Sequence, residues 1–310
     1  MCSESRIDCG SAAYVYDLEY CLQCPYRSSA PLVSDDHSPR AALMTTPTTR
    51  SDLSVVLPCL NEAETLRACL TRIEETCTNA SIDAEIVVAD NASTDGSREI
   101  AMSSSARLVE VSQRGYGNAI RGGIAASTGQ YIIVGDADCS YDFSEIPKYL
   151  ARLRNGYDLV MGCRRPTGGG QILPGAMPLT HRWIGNPLFT KLLRGWYGSP
   201  VNDVFCGLRG FSREFYDGIR WEESGMTFAV EMVIRAAQTG AATTEIPITL
   251  YPDERTVHGP HLSTLRDGWR TLRYILSQYL LRGGVPVTRQ PSARRETASP
   301  IPVDTDLMVS

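Results

Sequence analysis

Asp136-Ala137-Asp138 comes just after the apolar run Tyr131-Ile132-Ile133-Val134. In extended chain, two carboxylates two positions apart project to the same side. Hard oxygen ligands in that arrangement suit Mg²⁺ or Mn²⁺, which bind through one or two carboxylates and take their other ligands from phosphate oxygens. Surface turns also contain Asp-x-Asp, so it is the position after a buried strand that gives this one weight. A second cluster, Asp90-Asn91-Ala92-Ser93-Thr94-Asp95-Gly96, again follows an apolar run. Asp90 there could accept hydrogen bonds from a base or ribose, although the same residue types make ordinary strand-to-helix turns. The third cluster, Pro58-Cys59-Leu60-Asn61-Glu62, also stands at the end of an apolar run.

The elements that must hold these clusters alternate. β-rich runs occur at Ser54–Leu57, Glu85–Ala89, Tyr131–Val134 and Asp158–Met161, separated by segments of helical spacing such as Leu66, Leu70 and Ile73. That pattern predicts an α/β fold with a mainly parallel sheet covered on both faces. Ligands of such sheets gather at the carboxyl ends of the strands, where all three clusters fall. Asn61 is placed to cap the first helix, Ser93 and Thr94 to cap exposed amides, and Pro147 to sit one turn into the helix after Asp142. Further helices are predicted around Trp183–Trp196 and Phe228–Gln238, a strand over Thr244–Leu250, and a mobile loop over the Gly- and Pro-rich stretch Pro166–Gly175.

The 310 residues carry a formal charge of −5, with 43% hydrophobic and 21% charged residues. Without a long basic run, they offer no footprint for nucleic acid. No stretch of about eighteen apolar residues suggests a transmembrane segment, and no secretory signal is evident, so a cytoplasmic location is the expectation. Cys59, Cys69, Cys77, Cys139, Cys163 and Cys206 are scattered singly, as buried reduced thiols would be. Cys2, Cys9, Cys21 and Cys24 lie in the first segment. There Cys21-Leu22-Gln23-Cys24 has the spacing of a zinc knuckle but no second metal pair follows it. Residues 1–50 are expected to be a disordered N-terminal extension and 285–310 a disordered tail. Met44, just ahead of the first strand pattern, offers an alternative translation start.

Taken together, the ordered motifs resemble family-2 inverting glycosyltransferases, in particular the branch of dolichyl- and polyprenyl-phosphate mannose and glucose synthases. The resemblance runs from about Leu53 to Leu276. It rests on Val55-Val56-Leu57-Pro58 leading into Asn61-Glu62, on Asp90 to Gly96, and on Arg114-Gly115-Tyr116-Gly117-Asn118-Ala119. It also includes Asp136-Ala137-Asp138 and Cys206-Gly207-Leu208-Arg209-Gly210-Phe211. It implies a GT-A fold over residues 51–260, a single mixed, mainly parallel sheet, and a nucleotide-sugar donor such as UDP-glucose or GDP-mannose. Pro58, Asn61 and Glu62 would line the nucleotide pocket with Asp90 beside the base. Asp136 and Asp138 would take the ribose-side and metal-side roles at the donor diphosphate. Where members commonly have two adjacent Asp and a Gly, this chain has Asp90, Asn91 and Ala92, and the base is left unassigned.

The implied acceptor is a polyprenyl phosphate. Being an anion already, it needs positioning by Arg rather than a strong base, and Arg164, Arg209 and Arg255 are candidates. A neutral hydroxyl acceptor would require a carboxylate base. Glu231, which matches the place of an acidic residue near the family's acceptor, is the candidate; a structural alternative pairs it with Arg235, one turn on. His181, His258 and His261 are not spaced as metal ligands. Residues 261–284 form an amphipathic segment, with Leu262, Leu265, Trp269, Leu272 and Leu276 on one face and Arg266, Arg270, Arg273 and Arg282 beside them. That stripe either packs on the catalytic domain, the reading preferred here, or makes peripheral membrane contact. A non-catalytic nucleotide-sugar-binding protein on the same fold is a rival reading. A dinucleotide-dependent oxidoreductase is remote, because Gly115-Tyr116-Gly117-Asn118-Ala119-Ile120 lacks the third fingerprint glycine.

Overall fold

The computed structural model describes residues 51–177, 185–255 and 264–281. The expected extension 1–50, the tail 285–310, the four N-terminal cysteines and the histidines at 181, 258 and 261 lie outside the described residues.

In chain order the elements are β1 (Leu53–Cys59), α1 (Leu66–Asn79), β2 (Ala84–Asp90), α2 (Ser97–Met102), β3 (Arg107–Glu110), α3 (Tyr116–Ala126) and β4 (Tyr131–Val134). After a 3₁₀ turn at Phe143–Glu145 come α4 (Ile146–Arg154), β5 (Leu159–Cys163), β6 (Gln171–Ile172), α5 (Asn186–Tyr197), β7 (Arg209–Ser212) and α6 (Arg213–Asp217). The series ends with α7 (Thr227–Thr239), β8 (Thr243–Pro247), β9 (Thr249–Leu250) and α8 (Thr264–Leu281). The main sheet has the order β3-β2-β1-β4-β7-β5-β8. It is parallel throughout except for β7, which runs antiparallel to both β4 and β5. This is the mixed, mainly parallel α/β architecture expected. Two layers of helices, α1 with α2 and α4, and α3 with α5, α7 and α8, pack within themselves and cover the sheet.

Burial on both faces explains why β1 and β5 read as continuous apolar runs. α1 buries Leu66, Cys69, Leu70, Ile73 and Cys77, the three- and four-residue spacing of one helical face. The six described cysteines are free buried thiols.

Local departures from expectation have identifiable causes. The predicted strand Thr244–Leu250 is two strands: β8 continues the main sheet, and β9 leaves it to pair with β6. Pro247, with no N–H to donate, stands at the break. The same β6–β9 pairing ties the Gly- and Pro-rich stretch down, with Gln171 N donating to Ile248 O at 3.0 Å and Leu173 N to Leu250 O at 3.0 Å. Asn61 does not cap α1, which has Thr65 at its N-cap. Asp142 caps the 3₁₀ turn by accepting from Ser144 N, and Pro147 occupies the first turn of α4.

Candidate active site

The three clusters lie at the ends of the adjacent strands β2, β1 and β4 and are joined by side chains. Asn61 N donates to Ser93 Oγ (2.9 Å), Glu62 N to Ser97 Oγ (2.8 Å) and Ala63 N to Asp95 Oδ2 (2.9 Å). In return Thr94 N donates to Asn61 Oδ1 at 2.8 Å. Ser93 therefore satisfies an amide of the neighbouring loop rather than one of its own helix. Thr65 Oγ1 donates to Ala137 O at 2.7 Å, fixing the start of α1 to the turn that carries Asp136 and Asp138. Asn61, Ala92 and Cys139 each hold a positive φ, 58°, 70° and 61°. Left-handed backbone costs a non-glycine residue about 1 kcal/mol or more. One such residue stands in each of the three turns.

Asp90 is buried and accepts from its own turn, Ala92 N at 3.2 Å and Ser93 N at 3.2 Å. Its neighbour Asn91, which carries no signal of its own in the sequence, is also buried. It donates to Val111 O (2.9 Å) and Gln113 O (2.8 Å) and accepts from Gly115 N (2.7 Å), so it shapes the loop that delivers Tyr116. Gly115 has φ 132°, and a Cβ there would meet Ser224 O at 2.4 Å, so no other residue fits this crossing.

Tyr116 Oη donates to Asp136 Oδ1 at 3.1 Å. Burial, followed by the Asp136 charge, keeps that phenol well above its ordinary range and protonated. Burial and the neighbouring Asp138 push Asp136 up to about 6. Gly207 closes the other side: a Cβ there would lie 2.2 Å from Asp136 Oδ2. Asp138 Oδ1 accepts from Ser140 N (3.0 Å) and Ser140 Oγ (2.6 Å), which leaves Oδ2 facing Arg255 at 3.7 Å.

Arg255 is the hub. Its Nη1 meets Glu62 Oε1 at 2.9 Å, and its Nε donates to Asp253 Oδ1 at 2.9 Å. The segment before it is anchored by Tyr251 N donating to Ser140 O at 3.0 Å. Glu62 is pushed up to about 8, mainly by burial and against the pull of Arg255, and its Oε2 is buried without a hydrogen-bond partner. Asp253 was missed in the sequence, although its place two residues before Arg255 was a usable signal. Pro58 lies at the same strand end, half-buried in β1.

Among the described residues no three His, Cys, Asp or Glu side chains form a metal cage. The donor set nevertheless fits a hard cation. Burial first, and the Asp138 charge second, raise Asp136. A cation would stabilise this pair of carboxylates, and one that takes its remaining ligands from a diphosphate needs only one or two carboxylates.

Three expected site residues are placed differently. Arg209 is 1% exposed; its Nη1 donates to Ala229 O at 3.0 Å and its Nη2 contacts Cys206 O. It lies inside the sheet as a countercharge to Asp136 and is not open to an acceptor. Arg164 is buried in a two-point pair with Asp203, Nε to Oδ2 at 2.7 Å and Nη2 to Oδ1 at 2.8 Å, and it also donates to Tyr141 Oη at 3.3 Å. Glu231 is 0% exposed and accepts from Glu222 N (3.0 Å) and Glu223 N (2.9 Å), with Arg235 Nη2 at 3.6 Å. Its two oxygens thus hold the loop at Glu222 and Glu223. The Arg235 pairing is the structural alternative anticipated for it.

The amphipathic segment is the helix α8. It docks through Thr271, Tyr274, Ile275 and Gln278, with Leu272 of the expected stripe half-buried against the core, whereas Trp269 and Leu276 of that stripe are exposed. Leu262 and Arg282 lie outside the described residues.

The sequence pattern of glycosyl transferase family 2 matches residues 54–220. The low-salt glycan biosynthesis hexosyltransferase Agl6 of Haloferax volcanii is 41% identical over 72% of this chain, which spans about half (53%) of that protein's length. A dolichyl-phosphate hexose transferase of the same organism is 32% identical over 64% of this chain and 83% of its own. Glucosyl-3-phosphoglycerate synthase from Mycobacterium tuberculosis, solved with Mn²⁺, UDP and glucosyl-3-phosphoglycerate, superposes with a TM-score of 0.57. The match covers 76% of this chain and 81% of that one at 22% identity, a likeness of fold.

Proposed function

This chain belongs to glycosyl transferase family 2, and from that premise we propose that it transfers a hexose from UDP-glucose or GDP-mannose to a polyprenyl phosphate with inversion. The observation that supports this reading is the meeting of Glu62, Asp136, Asp138 and Arg255 at the ends of β1 and β4, beside the Asp90 turn. Asp138 Oδ2 and Asp136 would hold Mg²⁺ or Mn²⁺. That cation supplies neutralisation of the charge that develops on the leaving nucleoside diphosphate.

The chain's own residues do the rest. Tyr116 fixes the Asp136 carboxylate through one oxygen. Arg255, held by Glu62 and Asp253, presents a guanidinium beside Asp138, where diphosphate oxygens would be received. An acceptor phosphate oxygen bonds to the anomeric carbon from the face opposite the diphosphate, the anomeric C–O bond breaks, and no proton has to be removed. That economy favours an anionic acceptor here, because Glu231, the carboxylate considered as a base, is spent on backbone amides. The name of the dolichyl-phosphate hexose transferase relative supports the same acceptor class.

The test is transfer of radiolabel from UDP-glucose and from GDP-mannose, separately, into an organic-extractable polyprenyl phosphate with Mg²⁺ or Mn²⁺. Label is expected in the organic phase and should fall on the order of a hundredfold or more in Asp138→Ala. Donor hydrolysis without lipid labelling would move the acceptor to a hydroxyl compound. Absence of donor binding would make the chain a non-catalytic member of the family.

A further inference from the structure

α8 carries two faces with different assignments. Thr271, Tyr274, Ile275 and Gln278 are buried against the domain, with Tyr197 Oη donating to Ile275 O at 2.7 Å and the Thr227 and Thr271 hydroxyls 3.2 Å apart. On the opposite side Trp269 is 70% exposed, Leu276 43% and Leu280 62%; Leu281, at the helix end, is 79% exposed. At 3.6 residues per turn Trp269, Leu276 and Leu280 fall within about 40° of one another, a single stripe along the outward face. Arg273, Arg266 and Arg270 follow along one flank of that stripe, all exposed. Arg270 pairs with Glu223 at 3.0 Å. Asp267, in the first turn, is half-buried and faces the domain side.

We propose that the outward face of α8 docks on an anionic phospholipid bilayer, with Trp269, Leu276 and Leu280 entering the headgroup boundary and Arg266 and Arg273 meeting lipid phosphates. Two observations select this occupant. The helix is already anchored by its other face, so folding does not require the outward stripe to be covered. The stripe is also flanked by cations on a chain whose net charge is −5, which makes it a local exception that matches a negative surface. A second copy meeting this face antiparallel about a two-fold axis would set arginine against arginine. Nucleic acid, which can stack a base on a tryptophan, would leave Leu276 and Leu280 unused. No described helix is long and apolar enough to cross a membrane, so the contact is interfacial.

The test uses the full chain and vesicles free of polyprenyl phosphate, so its outcome is independent of the acceptor assigned above. Co-sedimentation is expected with phosphatidylglycerol–phosphatidylcholine vesicles and to weaken with salt and on neutral vesicles, with a blue shift of tryptophan emission lost in Trp269→Phe. Arg266→Gln with Arg273→Gln should weaken binding roughly fivefold per arginine removed, and Trp269→Ala with Leu280→Ser should weaken it further at unchanged circular dichroism. Equal binding by these folded variants, or no binding by the wild-type chain, would overturn the proposal. Concentration-dependent dimerisation that disappears in Trp269→Ala with Leu280→Ser would reassign the face to self-association.

Discussion

Ala92 stands at φ 70° in the turn that Asp90 closes, a conformation that suits glycine and strains alanine. The sequence marked this position as a departure from the family's usual Gly, but only the backbone gives it an energy. Ala92→Gly relieves the left-handed strain and loses part of that gain to the freer unfolded chain. The net expectation is a stabilisation of about 0.5–1 kcal/mol, read as a rise of ~1–3 °C in thermal midpoint. Glu231 poses the opposite problem, a residue whose type suggested chemistry and whose surroundings assign it to structure. Glu231→Ala leaves the Glu222 and Glu223 amides without acceptors and should cost about 2–3 kcal/mol in urea unfolding. Glu231→Gln keeps one acceptor oxygen, so its transfer rate should stay within about tenfold of wild type. A catalytic base would lose a hundredfold or more on that change, so a loss of that size in Glu231→Gln, without loss of folded protein, would return Glu231 to catalysis.

Between elements, the strongest tie at the site is the buried pair that joins Arg164, just after β5, to Asp203, which precedes β7. Asn186 Nδ2 from α5 also donates to Asp203 Oδ1, at 2.6 Å. Burial alone would raise the Asp203 carboxyl; the Arg164 charge and these hydrogen bonds outweigh it and hold the group below its ordinary range. A depressed folded-state value means that this stabilisation is complete above the unfolded Asp value of about 3.9 and is lost as pH falls through the folded value. Asp203→Asn should therefore cost about 3–5 kcal/mol at neutral pH by stranding Arg164, and its unfolding free energy should fall less steeply below about pH 4 than that of wild type. Urea titrations at pH 3 to 7 check both. The pair also shows where sequence reading stops. The parallel strands and the three acidic turns were legible because apolar runs and strand-end carboxylates are local signals. Asp203 carries no local signal, being an acid in a loop about forty residues from its partner. β7 was hidden for a similar reason, since Arg209 and Gly210 do not read as strand until neighbours on both sides bury them. β3 was hidden as a short edge strand with charged ends.

At the scale of the molecule, α8 decides how far the catalytic domain extends, and its period explains why its docking face was misassigned. Leu272, Leu276 and Trp269 share the stripe expected to dock, yet of these only Leu272 packs against the core, half-buried, while the helix turns Thr271, Tyr274, Ile275 and Gln278 inward. The inward set can include a Thr because α7 supplies a partner, the Thr227 hydroxyl meeting that of Thr271, and from α5 Tyr197 donates to the Ile275 carbonyl. Trp196 also stacks on Tyr279, ring centroids 4.6 Å apart. The hydrophobic pattern therefore ranked the outward face first, whereas the packing buries the face that carries Tyr274 and Ile275. Ile275, with no exposed surface, should carry the docking. Ile275→Ala is expected to cost about 2–4 kcal/mol through lost burial and the cavity left behind, whereas Leu280→Ser, on the exposed side, should stay within about 0.5 kcal/mol. Urea unfolding of the two single variants separates the faces. If both were neutral, α8 would be an appendage rather than part of the domain. If Leu280→Ser were the costlier, the inward and outward assignments would have to be exchanged, and the bilayer contact inferred from them would lose its basis.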